Sequence, residues 1–190
     1  MLLLDKYKPK KSDKIIGQYY NIKSLRIWLN DWNLNSKNKC VILHGPSGTG
    51  KTIAANLLPK ENGFYIVEYN PSDVRTKGFL EKEITENQDN KSIQSFFLKK
   101  KKLIIMEEID SISDKGGISE LLNISKKTKC PIIFICNEIT KELKSLKNVC
   151  LNLKFFKPKL ETIIPWLKPI LQKERIKINF RKIKFIPMYT

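Results

Sequence analysis

Eight consecutive residues carry the strongest chemical signal in this 190-residue sequence: Gly45-Pro46-Ser47-Gly48-Thr49-Gly50-Lys51-Thr52. They fit the spacing GxxxxGK[ST], in which glycines let backbone N–H groups turn inward around phosphate oxygens. The start of a following helix adds its partial positive charge. In such a loop Lys51 reaches the β- and γ-phosphates of a nucleotide, and the Thr52 hydroxyl ligates Mg²⁺. A Gly-rich turn that merely caps a helix is the plain alternative. Four fixed positions in the right order rarely coincide by chance, and the signal is specific.

A second signal is the run Leu103-Ile104-Ile105-Met106-Glu107-Glu108-Ile109-Asp110, an apolar strand that ends in acids. In a parallel sheet these acids emerge at the carboxyl edge, on the side of the phosphate loop. There one carboxylate can hold the Mg²⁺ shell while the next polarises an attacking water. Without the phosphate loop, a solvated acidic turn would be the better reading. Ile135-Cys136-Asn137 ends another strand with a single amide. Asn137 can bond to a γ-phosphate or an attacking water, or simply form a turn. Its residue type alone does not choose.

Positioning these groups requires alternating strands and helices. Apolar spacing predicts a helix over Asn21–Trp32, with Ile22, Leu25, Trp28, Leu29 and Trp32 on one face. Strands are expected at Cys40–His44, Phe64–Tyr69, Leu103–Met106, Pro131–Cys136 and Val149–Phe155. Helices are expected from about Lys51, after the N-cap pair Ser72-Asp73, over Gly117–Lys127 and over Leu160–Glu174. Phe180–Thr190 has neither helical nor strand spacing. The whole is an α/β pattern with a parallel sheet.

Composition sets the class. Hydrophobic residues are 41% and charged residues 29%, the profile of a chain with a packed core. No apolar run approaches the roughly 18 residues of a membrane helix, and Leu2-Leu3-Leu4 is too short for a signal peptide core. An intracellular protein without membrane partners is expected. Cys40, Cys130, Cys136 and Cys150 form no CxxC pair, which fits reduced thiols better than zinc or disulfides. The net charge of +17 points to a polyanion. Only Arg26, Arg75, Arg175 and Arg181 are arginines, and the abundance of Lys, Ile and Asn also fits an AT-rich coding sequence. A merely basic surface therefore stays open.

Further segments extend the pattern. Asp5-Lys6-Tyr7-Lys8-Pro9-Lys10 and Ile15-Ile16-Gly17-Gln18 precede the phosphate loop. Val67-Glu68-Tyr69-Asn70-Pro71-Ser72-Asp73-Val74-Arg75 follows it, then Asp114-Lys115-Gly116-Gly117-Ile118 and Pro131–Asn137. In order and spacing, residues 5–178 resemble the AAA+ clamp-loader ATPases, in the form of the replication factor C large subunit. Pro71 stands where that family has Ala. The resemblance implies a P-loop AAA+ domain over 1–156, with a five-stranded parallel sheet flanked by helices. It implies the start of a partial helical lid over 157–178, and leaves an unassigned basic tail over 179–190.

By the same resemblance, Tyr7, Pro9 and Ile16 line the adenine side with Lys8 nearby, and Gly45 through Thr52 hold the ATP phosphates. Glu107 takes the place of the Mg²⁺-associated Asp, Glu108 that of the catalytic Glu, and Asn137 that of the first sensor. The extra methylene at Glu107 pushes its carboxylate outward. Asn148-Val149-Cys150 lacks the arginine that small subunits offer a neighbour, so this subunit would receive an arginine finger without giving one. The chain is expected to stop before the lid's second sensor arginine and the collar.

The implied partners are clamp-loader small subunits, a PCNA-type sliding clamp and primer-template DNA, in the nucleus or at a viral or cytoplasmic replication site. The implied role is to help load the clamp during replication. The rival is a non-hydrolysing interaction module that binds nucleotide and clamp; a P-loop ATPase outside replication is a distant third. Asn90-Lys91-Ser92-Ile93-Gln94-Ser95-Phe96-Phe97 has the spacing of a clamp-interacting box, with Ile93, Phe96 and Phe97 as anchors. A helix turning those three into the core is the alternative. Replacing Phe96 and Phe97 together by Ala separates the two. As anchors, their loss weakens clamp binding by at least about 2 kcal/mol and leaves the melting temperature unchanged. As core, it costs about 3–5 kcal/mol of stability per ring. A clamp titration and a thermal melt on the same variant read both.

Overall fold

β-branched and aliphatic runs bounded by Gly, Pro and Lys build the sheet, because branched side chains pack well on a pleated surface buried on both faces. The computed structural model describes residues 3–69, 101–112 and 115–176. The expected anchors Ile93, Phe96 and Phe97, the segment Asn70–Arg75, the helix after Ser72-Asp73 and the tail 179–190 lie outside these residues.

The strands are β1 (Cys40–His44), β2 (Phe64–Tyr69), β3 (Lys101–Met106), β4 (Ile132–Cys136) and β5 (Leu151–Lys154). They form one five-stranded sheet in the order β2-β3-β4-β1-β5, with every pairing parallel. In register, His44 lies beside Cys136, and Met106 beside Phe134. All carboxyl ends therefore reach one edge, which is where the phosphate loop and the acids emerge.

Alternation along the strands divides the core into two layers. Val41, Leu43, Leu103, Ile105, Ile133 and Ile135 face one layer, shared with α2 (Tyr19–Asp31) and α3 (Lys51–Glu61), which follow the short α1 (Leu3–Lys6). Cys40, Ile42, Ile104, Met106, Ile132, Phe134 and Cys136 face the other. That second layer is closed by α4 (Lys115–Lys127) and α5 (Lys144–Val149). Four residues of the expected α2 face, Ile22, Leu25, Trp28 and Leu29, are buried, while Trp32 lies just past the helix and is half-buried against the same layer. The indole N–H groups of Trp28 and Trp32 donate to the carbonyls of Asn38 and Lys39, at 2.8 and 2.9 Å, and tie α2 to the entry of β1. All four cysteines are free thiols.

Several element ends shift by one or two residues from expectation, and one boundary changes the type of element. Val149 ends α5, and β5 starts only at Leu151. Leu143, Leu146 and Cys150 are buried in the second layer at spacings of three and four residues, which only a helical path can deliver. The interleaved Lys141, Lys144 and Lys147 hide that period in the sequence. After β5 comes α6 (Leu160–Lys173), which holds Pro165 and Pro169 and buries only Leu171.

Phe134 is fully buried at the centre of the sheet. Phe134→Ala is expected to lower the free energy of unfolding by about 3–5 kcal/mol in a urea titration. A change below about 1 kcal/mol would contradict this central placement.

Candidate functional site

The loop between β1 and α3 owes its shape to glycines at positive φ, where a side chain would be strained. Gly45 has φ +137°, and a Cβ there would sit 2.1 Å from the Phe155 carbonyl oxygen. Gly50, at φ +94°, caps α3, and a Cβ on it would lie 3.0 Å from the Ile15 side chain. Within the loop the Thr49 hydroxyl donates to the Pro46 carbonyl at 2.8 Å. The first turn of α3 then opens on the loop's concavity, where helix N–H groups lack intrahelical partners.

Lys51 is 6% exposed, an extreme value for an ammonium group. Its Nζ donates to the carbonyls of Gly45 at 2.6 Å and Pro46 at 2.9 Å, and to Asn137 Oδ1 at 3.1 Å. Burial pulls its pKa below the ordinary lysine value, while Cys136, Asp110 and Glu107 act in the opposite direction. Three acceptors for three donors keep the buried cation satisfied.

Asn137 is the junction of this site. Its backbone carbonyl accepts from the Gly45 N–H at 3.1 Å. Its own N–H donates to Asp110 Oδ2 at 2.8 Å, and the Glu138 N–H reaches the same oxygen at 3.4 Å. Asp110 thus fixes the end of β4 to the turn after β3. Sequence reasoning gave it no role, although an Asp just past a strand is a common acceptor for backbone N–H groups.

The acids of β3 reach the same place. Strand alternation alone would send consecutive side chains to opposite faces. Glu108, however, has φ +53° and ψ +37°, a left-handed conformation rare outside glycine. With that break in the alternation, both Glu107 and Glu108 line one cavity of about 300 Å³. Ser47, Gly48, Gly50, Lys51, Thr52, Cys136 and Asn137 complete its polar wall. Thr52 and Glu108 are exposed and Glu107 is half-buried.

The hydroxyl and carboxylate oxygens of Thr52, Glu107 and Glu108 are hard donors at an open rim, a set that fits Mg²⁺ bound through one or two carboxylates and a phosphate. Soft ligands do not compete. Burial, helped by the charge of Asp110, pushes the Cys136 thiol up to about 12, so it stays protonated near neutral pH. Among the described residues no group of three or more His, Cys, Asp or Glu forms an all-protein metal cage.

The four residues expected on the adenine side are not part of this cavity's wall. The Tyr7 hydroxyl donates to Glu174 just past α6, and the Lys6 ammonium joins the same carboxylate at 2.6 Å. These contacts, Lys6 first, hold the Glu174 carboxyl below the usual range. Lys8 is exposed, Pro9 half-buried, and Ile16 follows the Ile15 that presses on Gly50. The N-terminal segment therefore runs from α6 to the loop, and none of its residues lines the cavity.

Comparison with known proteins gives a consistent picture. Residues 41–157 match the family described as "ATPase family associated with various cellular activities (AAA)". Replication factor C subunit 1 of Drosophila melanogaster is 35% identical over 98% of this chain and 22% of its own length. The human protein of that name is 34% identical over 94% of this chain and 18% of its own. The replication factor C large subunit of Methanococcus aeolicus is 35% identical over 98% of this chain and 40% of its own. The chain thus spans well under half the length of these relatives.

The loop geometry carries a direct expectation. Lys51→Ala removes the buried cation and should abolish binding of a fluorescent ATP analogue, followed by anisotropy. Undiminished binding would show that this loop does not hold the phosphates.

Proposed function

Because the chain belongs to the AAA ATPase family, we propose that it binds ATP at Gly45–Thr52 and serves as a large-subunit-type clamp-loader module. The convergence of Lys51, Asn137 and both β3 acids on one cavity carries the reading. In this reading Lys51 moves from its loop carbonyls to the β- and γ-phosphates. Thr52 and Glu107 hold Mg²⁺, which neutralises charge on the phosphate oxygens during transfer. Glu108 polarises the attacking water, and Asn137 distinguishes a bound triphosphate from a diphosphate. Tyr7, Lys8, Pro9 and Ile16 flank the adenine side.

Similarity to replication factor C subunits supports the assembly half of the proposal. Small subunits supply an arginine finger, a PCNA-type ring is the cargo, and primer-template DNA is its destination. The acceptor of the ring is proposed at Ile93, Phe96 and Phe97. Among the described residues no helix is long and apolar enough to cross a membrane, and an intracellular setting is part of this reading.

The proposal sets the rate of hydrolysis. Glu107 carries one methylene more than the aspartate of the family pattern, and the finger must come from a neighbour. Such a finger contributes about 10³–10⁵ in rate. The purified chain should therefore bind ATP but turn it over barely above background. Adding small subunits, clamp and primed DNA should stimulate turnover by about 10³-fold or more, and Glu108→Gln should abolish the stimulated rate. Binding without any stimulation would favour the non-hydrolysing interaction module. Fast turnover by the isolated chain would refute the need for a neighbour.

A further inference from the structure

The three most exposed large apolar side chains among the described residues lie on two adjacent segments. Tyr19 and Tyr20, at the start of α2, are 70% and 81% exposed, and Phe156, just past β5, is 58% exposed. Two side-chain bonds bring the segments together. Gln18 Nε2 donates to the Phe156 carbonyl at 2.6 Å, and Asn21 Nδ2 donates to the Lys154 carbonyl at 2.8 Å. The rings therefore flank one seam between the first turn of α2 and the end of edge strand β5. None of them lines the phosphate-loop cavity.

The charged side chains that the two segments themselves carry are all cationic. Lys154 Nζ lies 5.3 Å from the centroid of the Phe156 ring. Lys23 is exposed one turn along α2 from the tyrosines, and Lys157 is exposed beside Phe156. Neither Gln18–Ile27 nor Cys150–Leu160 contains a carboxylate. Among the described residues none of these three lysines is in an ion pair. Tyr19 and Tyr20 meet edge to face, with centroids 5.4 Å apart and planes at 80°, so their faces point in different directions.

Exposed rings cost free energy in water unless something covers them. A protein partner would favour an apolar centre with few lysines. Rings set among unpaired ammonium groups instead match stacked bases on a backbone of phosphates, the pattern of single-strand binding surfaces. We infer that the seam of Tyr19, Tyr20 and Phe156, with Lys23, Lys154 and Lys157, is a stacking surface for single-stranded nucleic acid. The rings take bases without sequence readout, because every base has a π-face, and the lysines follow the backbone. A duplex offers no unstacked bases and gains only the charge contacts. The inference deepens the DNA part of the proposed function and uses none of its nucleotide chemistry.

The test uses the full chain, a labelled oligothymidylate of roughly 20 nucleotides and a duplex of equal length, read by fluorescence anisotropy. The single strand should bind more tightly than the duplex. The triple variant Tyr19→Ala, Tyr20→Ala, Phe156→Ala should bind the single strand at least about tenfold more weakly. Its melting temperature and its binding of a fluorescent ATP analogue should stay unchanged. Tyr19→Phe with Tyr20→Phe keeps both rings and should retain strand binding. Lys23→Ala with Lys154→Ala should flatten the log–log salt dependence by about 1.4, or about 0.7 per phosphate contact. Equal binding of the triple variant and the parent would overturn the inference, as would equal affinity for strand and duplex. Self-association that the triple variant abolishes, without strand binding, would assign the seam to a second copy and also overturn it. Loss of ATP binding with strand binding intact would count against the proposed function and leave this surface standing.

Discussion

The rest of the site depends on burying one cation, Lys51. An ammonium group removed from water is costly unless its donors are all met. Here they are met by the Gly45 and Pro46 carbonyls and by Asn137. Two of those partners lie in the loop, and the third comes from the end of β4. Lys51 can be satisfied only if β1 and β4 are neighbours in parallel register, as they are. Asn137 is in turn held by Asp110, which requires β3 beside β4. Sheet order and cation burial constrain each other.

The same packing puts backbone strain where chemistry is possible. The chain passes so close at Gly45 that a single methyl group would collide with the Phe155 carbonyl. Glu108 adopts a left-handed conformation, a cost of about 1–3 kcal/mol that the surrounding core must offset. Ile109, the next residue, is fully buried in the second layer and anchors the turn from below. The strain places a second carboxylate on the cavity that Glu107 already lines.

Beyond the sheet, the N-terminal segment acts as a strap. Tyr7 and Lys6 grip Glu174, a Cβ on Gly17 would lie 2.8 Å from the Pro158 Cβ, and Gln18 bonds to the Phe156 carbonyl. Ile15 closes on Gly50. The strap thereby links α6, the β5–α6 connection and the phosphate loop through direct contacts. A node of Ser12, Glu61 and Arg26, of which Ser12 is buried, fixes it to the end of α3 and the middle of α2, with the Ser12 N–H donating to Glu61 at 2.7 Å.

The sequence by itself determined the local structure: apolar runs became strands, the face of α2 followed its 3.6-residue period, and Gly45–Thr52 formed the turn its glycines require. Short-range sterics and period fix such features within a few residues. Even there it misplaced Val149, because lysines at exposed positions masked the period of α5. Tertiary structure alone decided the pairings that cross the chain. Asp110 meets Asn137 across 27 residues, Lys51 meets it across 86, and Tyr7 meets Glu174 across 167. The sequence pattern of neither partner specifies such a meeting. Each depends on strand order and on core layers that form only when the whole sheet packs, and that packing turns separate acids, an amide and a lysine into one site.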